Sequence, residues 1–292
     1  MESLKDIRTR LSSVISTRQI TSAMKMVSAA KLRKAQDAII RIRPYSDKLH
    51  DILKNLSGSL DTAEENIYAD QREVNKVLII VITSNRGLCG SFNANVVKRS
   101  MEIAGKDYAD LYKRGNVDFI AVGKYGYNAL RKKKYNVIGH YIELFDNLDF
   151  TNVSPVAGSI MQKFTDRNYD RILLVYNMFK NAAVQILTEE QFLPVKIEEE
   201  ETSPHIHNYI FEPDMEYIVD VLIPKSLRIQ FYKALLDSYA SEHGARMTAM
   251  HMATENATEL IRDLRLQYNK ARQASITNEI LEIVSGAEAL RG

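Results

Sequence analysis

With 292 residues and 45% hydrophobic side chains, the chain has material for one large domain or two modest ones, each with a real core. Its 39 basic and 37 acidic residues leave a formal net charge of +2, which excludes a global pull toward nucleic acid or acidic membrane. One cysteine, Cys89, excludes an intramolecular disulfide and fits a reducing compartment, and no apolar run is long enough to span a bilayer.

The chain opens with Met1-Glu-Ser-Leu-Lys-Asp, which has neither the basic patch and apolar run of a signal peptide nor the Arg- and Ser-rich run of a transit peptide. A soluble, unprocessed protein of a bacterial cytoplasm is expected. Residues 1–58 form the first segment. From Met1 to Arg43 there is neither Gly nor Pro. Leu4, Ile7, Leu11, Val14, Ile15, Ile20, Met24, Val27, Ala30, Ala35, Ile39 and Ile42 recur at spacings near three and four, which predicts one long helix with these residues as its seam. Pro44 is a point where it can kink before Leu49, Ile52, Leu53 and Leu56 resume the pattern up to Gly58.

Residues 70–200 read differently. Val74–Ile82 is a short apolar, β-branched run of the kind buried on both faces of a sheet. Further strands are expected at Val117–Val122, Asn136–Ile142, Arg171–Tyr176 and Ala183–Leu187, with helices near Asn93–Ile103, Tyr125–Arg131 and Val153–Phe164. Alternation of this kind predicts a doubly wound, mostly parallel, Rossmann-like α/β domain. Glu198–Glu201 reads as a solvated acidic loop.

Residues 209–292 return to helix. After Pro224 the only glycine before Gly286 is Gly244, and Leu260, Leu264, Tyr268, Ala271 and Ser275 continue a seam, with Ile276, Ile280, Ile283 and Ala287 beyond it. At about 1.5 Å per residue such a helix reaches roughly 90 Å, more than a small domain can bury. The charge density excludes a membrane span and no internal repeat is present, so an antiparallel coiled coil of the two ends is the expected fold, with the α/β domain inserted between them. Charge follows this division: residues 1–56 hold twelve basic side chains against five acidic ones, and a second basic cluster, Arg262, Arg265, Lys270 and Arg272, lies near the end.

Candidate chemistry is sparse. Thr83-Ser-Asn-Arg-Gly-Leu-Cys-Gly-Ser-Phe-Asn93 follows a strand and leads into a helix, where a phosphate loop would sit. It lacks both the third glycine of the dinucleotide pattern and the Gly-Lys-Ser/Thr of the triphosphate pattern, so Gly87 and Gly90 are read as serving a tight turn. Cys89 is read as a small buried hydrophobe rather than a reactive thiol. Of the histidines, only His205 and His207 are close in sequence, and they lack further ligands at metal spacing. Arg131-Lys-Lys-Lys134 suits a helix C-terminus, so nucleic-acid binding is not expected. On the second long helix, Ala240, Gly244, Ala245, Ala249, Ala253 and Ala257 would admit a closely packed neighbour. Polar crowding at Arg18, Gln19, Thr21, Ser22 and Lys25, and at Gln267, Asn269, Arg272, Gln273, Ser275, Thr277 and Asn278, predicts an outward surface rich in hydrogen-bonding groups.

Three strings in order carry a resemblance over nearly the whole chain. They are Leu4-Lys-Asp-Ile-Arg-Thr-Arg with Thr17-Arg-Gln-Ile-Thr-Ser-Ala-Met-Lys-Met-Val27, then Thr83-Ser-Asn-Arg-Gly-Leu-Cys-Gly90, then Tyr268-Asn-Lys-Ala-Arg-Gln-Ala-Ser-Ile-Thr-Asn-Glu-Ile-Leu-Glu-Ile-Val-Ser-Gly-Ala287. The sequence resembles the gamma subunit of the F-type ATP synthase. That resemblance implies a non-catalytic rotary shaft without cofactor or metal, peripheral to the cytoplasmic face of the bacterial inner membrane. It would couple a proton-driven membrane c-ring to the alpha and beta subunits of the catalytic ring. It also implies that Met24, Lys25, Arg246, Arg272, Gln273 and Thr277 meet the alpha/beta ring, and that Tyr209, Phe211 and Glu212 meet the membrane ring and the epsilon subunit. The apolar tip from Ile276 to Leu290 would turn in a bearing. A lone cysteine departs from plastid members, which carry a regulatory cysteine pair. Two other readings stand beside this one: a nucleotide-binding Rossmann-like enzyme and a static coiled-coil scaffold.

Overall fold

A stretch free of glycine, with apolar residues every three or four positions, folds as a single helix, α1, at Leu4–Ser57. The structure, a computed structural model, describes residues 3–57, 67–195 and 215–289. After α1 come β1 (Val77–Ile82), α2 (Phe92–Glu102) with a π turn at Ile103–Asp107, α3 (Ala109–Lys113), β2 (Val117–Val122), α4 (Lys124–Lys132) and β3 (Val137–Tyr141). A 3-10 turn at Glu143–Phe145, α5 (Phe150–Thr165), β4 (Arg171–Phe179), β5 (Gln185–Leu193) and α6 (Met215–Ala289) complete the chain. Helix α1 runs through Pro44 and α6 through Pro224 without interruption. The long terminal helices pair as a coiled coil, and the sheet domain is inserted between them in sequence.

The chain divides into two compact units, Ala29–Arg246 and Met1–Ser28 with Met247–Gly292. The larger contains a five-stranded sheet in the order β3-β2-β1-β4-β5. Strands β1 to β4 are parallel to their neighbours, and β5 returns antiparallel along β4. β1 is buried at every position, as its unbroken Val-Leu-Ile-Ile-Val-Ile demands. Alternate residues serve opposite faces. Leu78, Ile80 and Ile82 pack with Val153, Ile160 and Phe164 of α5 and with Leu227, Phe231 and Leu235 of α6. Val77, Ile79 and Val81 pack with Val96 of α2 and Leu130 of α4 on the other face. Helices on both faces are what a doubly wound sheet requires. Helix α5 starts where the Asp149 carboxylate accepts the Asn152 N–H at 2.8 Å, an ordinary N-cap.

The smaller unit is a two-helix seam. The Thr21 and Thr254 hydroxyls lie 2.8 Å apart and Lys25 Nζ lies 3.1 Å from His251 Nδ1, so the numbering rises on α1 as it falls on α6. The pairing is therefore antiparallel. Two seam expectations need correction. Ile20, Val27 and Ala30 are exposed, while Thr21 and Ser28 are buried and Arg18 and Lys25 half-buried. A strict heptad from Leu4, Ile7, Leu11 and Val14 leads to those polar positions, and apolar spacing alone had drifted off it. On α6, Leu260 gives way to Ile261 and Leu264, with Tyr268, Ala271 and Ser275 half-buried behind them.

Candidate functional site

The strongest sequence motif sits at the carboxyl ends of the parallel strands, where an open α/β sheet would hold a ligand. There the loops after the strands are tied to one another by side-chain hydrogen bonds. Asn93 at the start of α2 accepts the Ser84 N–H at 2.9 Å and donates to Ser84 Oγ at 2.8 Å. Asn85 donates to the Ile142 carbonyl at 2.8 Å and accepts the Lys124 N–H at 3.0 Å. At the N-terminus of α4, Tyr125 N–H goes to the Ser84 carbonyl and Gly126 N–H to Thr83 Oγ1. The Ser84, Lys124, Tyr125 and Gly126 N–H groups are thus satisfied by protein oxygens. Gly123, at φ 104°, is required here: a Cβ on it would come within 2.1 Å of the Thr83 carbonyl oxygen.

The same loop is tied to α6 by Arg246. Its guanidinium pairs with Glu242 at 2.6 Å and donates to the carbonyl oxygens of Arg86 at 3.1 Å and Gly87 at 3.2 Å. Arg246 and Glu242 are both buried. Burial pushes the Glu242 carboxyl up, opposed by Arg246 and by Lys31 and Arg86 nearby. His243 is pushed down to about 3 by burial and by the charges of Arg246 and Lys31. It is therefore neutral, free to accept from Arg246 at 3.3 Å. Cys89 is buried, and its thiol is raised, chiefly by burial, which makes it inert as expected. Among the described residues no cluster of His, Cys, Asp or Glu could hold a metal ion.

The predicted contact residues are distributed unevenly. Met24 and Lys25 lie half-buried on α1, Lys25 held by His251, while Arg272, Gln273 and Thr277 are exposed on the last turns of α6. Thr277 gives its hydroxyl proton to the Gln273 carbonyl at 2.9 Å. Arg246, expected at the surface, is committed inside the larger unit. Tyr209, Phe211 and Glu212, together with His205 and His207, lie outside the described residues. Of the polar crowd expected outside on α1, Arg18, Thr21 and Lys25 instead occupy the seam, because the heptad phase puts them there. Gly244 does serve close approach, but to the β4–β5 turn: a Cβ there would be 3.2 Å from Ala182 Cα.

Apolar spacing also missed a surface. Ile20, Met26 and Val27 on α1, and Met252, Leu266, Ile276, Ile280, Leu281, Ile283 and Val284 on α6, are large and exposed. So many on so thin a unit mark a surface made for partners. Phasing the heptad from Leu4 rather than counting apolar residues would have revealed it.

Comparison with known proteins agrees with the fold. A family model described as ATP synthase matches residues 3–290. The ATP synthase gamma chain of Flavobacterium johnsoniae is 58% identical over 292 residues, covering 100% of both chains. That of Cytophaga hutchinsonii is 52% identical over 293 aligned residues, covering 99% of each. Among solved structures, a chain of the central stalk/c-ring of the Tetrahymena thermophila mitochondrial ATP synthase matches with a TM-score of 0.63 at 25% identity, covering 80% of this chain and 99% of that one. A chain of the Euglena gracilis mitochondrial ATP synthase OSCP/F1/c-ring assembly shares the fold, with a TM-score of 0.72 at 22% identity, covering 98% and 94%. By its family model and by relatives that match it from end to end, the chain belongs to the ATP synthase gamma chain family.

Proposed function

We propose that this chain is the central rotary shaft of a proton-translocating F-type ATP synthase, carrying rotation of a membrane c-ring to conformational change in the alpha/beta catalytic ring. Membership in the gamma chain family carries the reading. The physics of the two end helices suits it. A paired helix rod resists twisting because each seam residue is held by neighbours on the other strand. Such a rod has no threefold symmetry, so three like subunits around it meet three different faces and are held in different states. As a gamma chain it is a non-catalytic subunit.

In this reading Met24, Arg272, Gln273 and Thr277 contact the alpha/beta ring directly. Lys25, with one of its three ammonium donors on His251, joins them, and Arg246, bonded to Glu242 and to the Arg86 and Gly87 carbonyls, serves the same contact through the loop it holds. Tyr209, Phe211 and Glu212 serve the membrane ring and the epsilon subunit. The exposed apolar end of α6, with Ile276, Ile280 and Ile283, turns in an apolar bearing. The protein sits peripherally at the cytoplasmic face of the bacterial inner membrane, and no helix among the described residues is long and apolar enough to cross it. A nucleotide-binding enzyme is disfavoured by membership in the gamma chain family and by the absence of either phosphate-loop pattern at Thr83–Asn93.

Co-expression with the alpha and beta subunits tests this directly. A complex with three copies of each around one shaft is expected, and failure to co-purify would refute it. Within that complex, Gln273→Ala with Thr277→Ala is expected to lower coupled ATP synthesis several-fold while the melting of the isolated chain is unchanged. Unaltered synthesis and hydrolysis would remove those two residues from the contact set.

A further inference from the structure

The amino ends of β2 and β3 carry five exposed cations. Lys113 and Arg114 close α3 ahead of β2, and Lys132, Lys133 and Lys134 close α4 ahead of β3. Two contacts hold these turns side by side: the Tyr112 and Tyr135 rings stand 5.4 Å apart between centroids, and the Phe119 N–H donates to the Asn136 carbonyl at 2.8 Å. Among the described residues, Arg114, Lys132, Lys133 and Lys134 form no ion pair. Lys113 reaches only Asp110, at 3.8 Å with both side chains in solvent, a pair that contributes little. The Asp118 carboxylate nearby is buried and already taken by Asn136 at 2.6 Å and Tyr169 at 2.7 Å. A helix dipole accounts for cations at the end of α4. It does not account for a like-charged group gathered from two turns, whose members repel one another.

We propose that this basic corner of the α/β domain is a docking surface for the phosphate headgroups of an anionic membrane leaflet. Four of its five cations are lysines, compact charges on flexible stems that meet a headgroup phosphate from any direction. A nucleic-acid surface would set free aromatic faces among the cations for stacking on bases, and here Tyr112 and Tyr135 are packed on each other. Position agrees with the choice. Helix α6 leaves this unit at Arg246, beside the Gly87 carbonyl at the carboxyl ends of the strands, whereas the cations stand at the amino ends. The choice of a membrane rests on the shaft reading. In that reading α6 leaves the domain toward the catalytic ring, and the opposite end of the domain is the one turned to the membrane. The near-zero net charge of the whole chain makes such an attraction local to this corner.

The test floats the full-length chain with vesicles of phosphatidylglycerol mixed into phosphatidylcholine, and with vesicles of phosphatidylcholine alone. The chain should bind the first and not the second, and binding should fall as salt is raised, because exposed charges are screened. Lys132→Gln, Lys133→Gln and Lys134→Gln together should weaken binding at least about tenfold, and the same three positions changed to Arg should keep it. A matched control removes three exposed cations of the basic α1, Arg8→Gln, Arg33→Gln and Lys34→Gln, and should bind as the native chain does. An equal loss in the control would assign binding to overall charge and overturn the corner. So would native binding in the triple Gln variant, or equal binding to both kinds of vesicle. Displacement by polyglutamate or single-stranded DNA at a lower charge concentration than phosphatidylglycerol requires would give the surface to an acidic protein or a nucleic acid instead, and also overturns it. Vesicle binding is read on the chain alone and co-purification with the alpha and beta subunits separately, so failure of the corner is told apart from failure of the shaft.

Discussion

Helix α6 is two different objects along one backbone. From Ile223 to Arg246 almost every residue is buried or half-buried, with Ile223, Leu227, Phe231 and Leu235 against the sheet and α5. From Met247 onward burial shrinks to a single line, Met250, Ala257, Ile261 and Leu264, and past Ser275 nothing is covered. The first stretch is a core helix, hydrophobic on most sides. The second shows the narrow seam of a two-stranded coil, with large apolar residues left on its outer faces. A helix secures its own fold in the first stretch and keeps its surface for others in the second.

Substitutions should separate the two stretches by size of effect. Phe231→Ala, in the fully buried layer against Phe192, should cost about 3–5 kcal/mol in urea unfolding. Leu264→Ala should cost toward the lower end of the range for such truncations, about 2 kcal/mol, since a two-helix seam collapses more easily around the gap. Equal losses would mean that the coil is as well packed as the domain.

Arg246→Met comes next. Removing one partner of a buried pair strands the Glu242 carboxylate and frees the Arg86 and Gly87 carbonyls, so a loss of about 3 kcal/mol is expected. Arg246→Met combined with Glu242→Gln should recover part of it, as judged by a double-mutant cycle in urea.

Asp237→Asn should act in the opposite direction. Burial raises this carboxyl from 3.8 to about 6, against the pull of Lys233 and Arg43. A raised folded pKa means the native state holds the proton more tightly, so Asp237 costs stability as pH rises through that window. The variant should be more stable at pH 7 by roughly 3 kcal/mol, with the gain gone near pH 4. His243 works the other way: its depressed folded value loses stability as pH falls from 6.5 toward about 3. Melts of Asp237→Asn across this range isolate one from the other. At the small end, Leu266→Ala on the exposed face of the coil should change stability by less than about 0.5 kcal/mol.

Much of this was legible beforehand, for reasons that differ by element. Strand β1 announced itself because a sheet buried on both faces needs an unbroken apolar run, and β2 matched residue for residue at Val117–Val122. β5 was placed too early, at Ala183–Leu187 against Gln185–Leu193, since Thr188-Glu-Glu-Gln191 looks like loop until paired with β4. The two long helices were evident, but their facing residues were not. Counting apolar side chains put Ile20 and Val27 in the seam, whereas the geometry of the repeat puts Arg18, Thr21, Lys25 and Ser28 there. Local sequence cannot tell an apolar residue that packs on its own chain from one reserved for a partner. The burial of Arg246 was hidden for a related reason, because its acceptors are carbonyl oxygens from a loop some 160 residues away.

The antiparallel pairing of the two ends into one rotating body is tested most directly by locking it. In a background with Cys89 replaced by serine, Thr21→Cys and Thr254→Cys place thiols where the two hydroxyls lie 2.8 Å apart. Oxidation within the assembled complex should form a disulfide between α1 and α6 and leave ATP-driven proton pumping at the level of the reduced complex. Loss of pumping on oxidation, restored by reduction, would mean that the two helices must move past each other, and they would not then be one shaft.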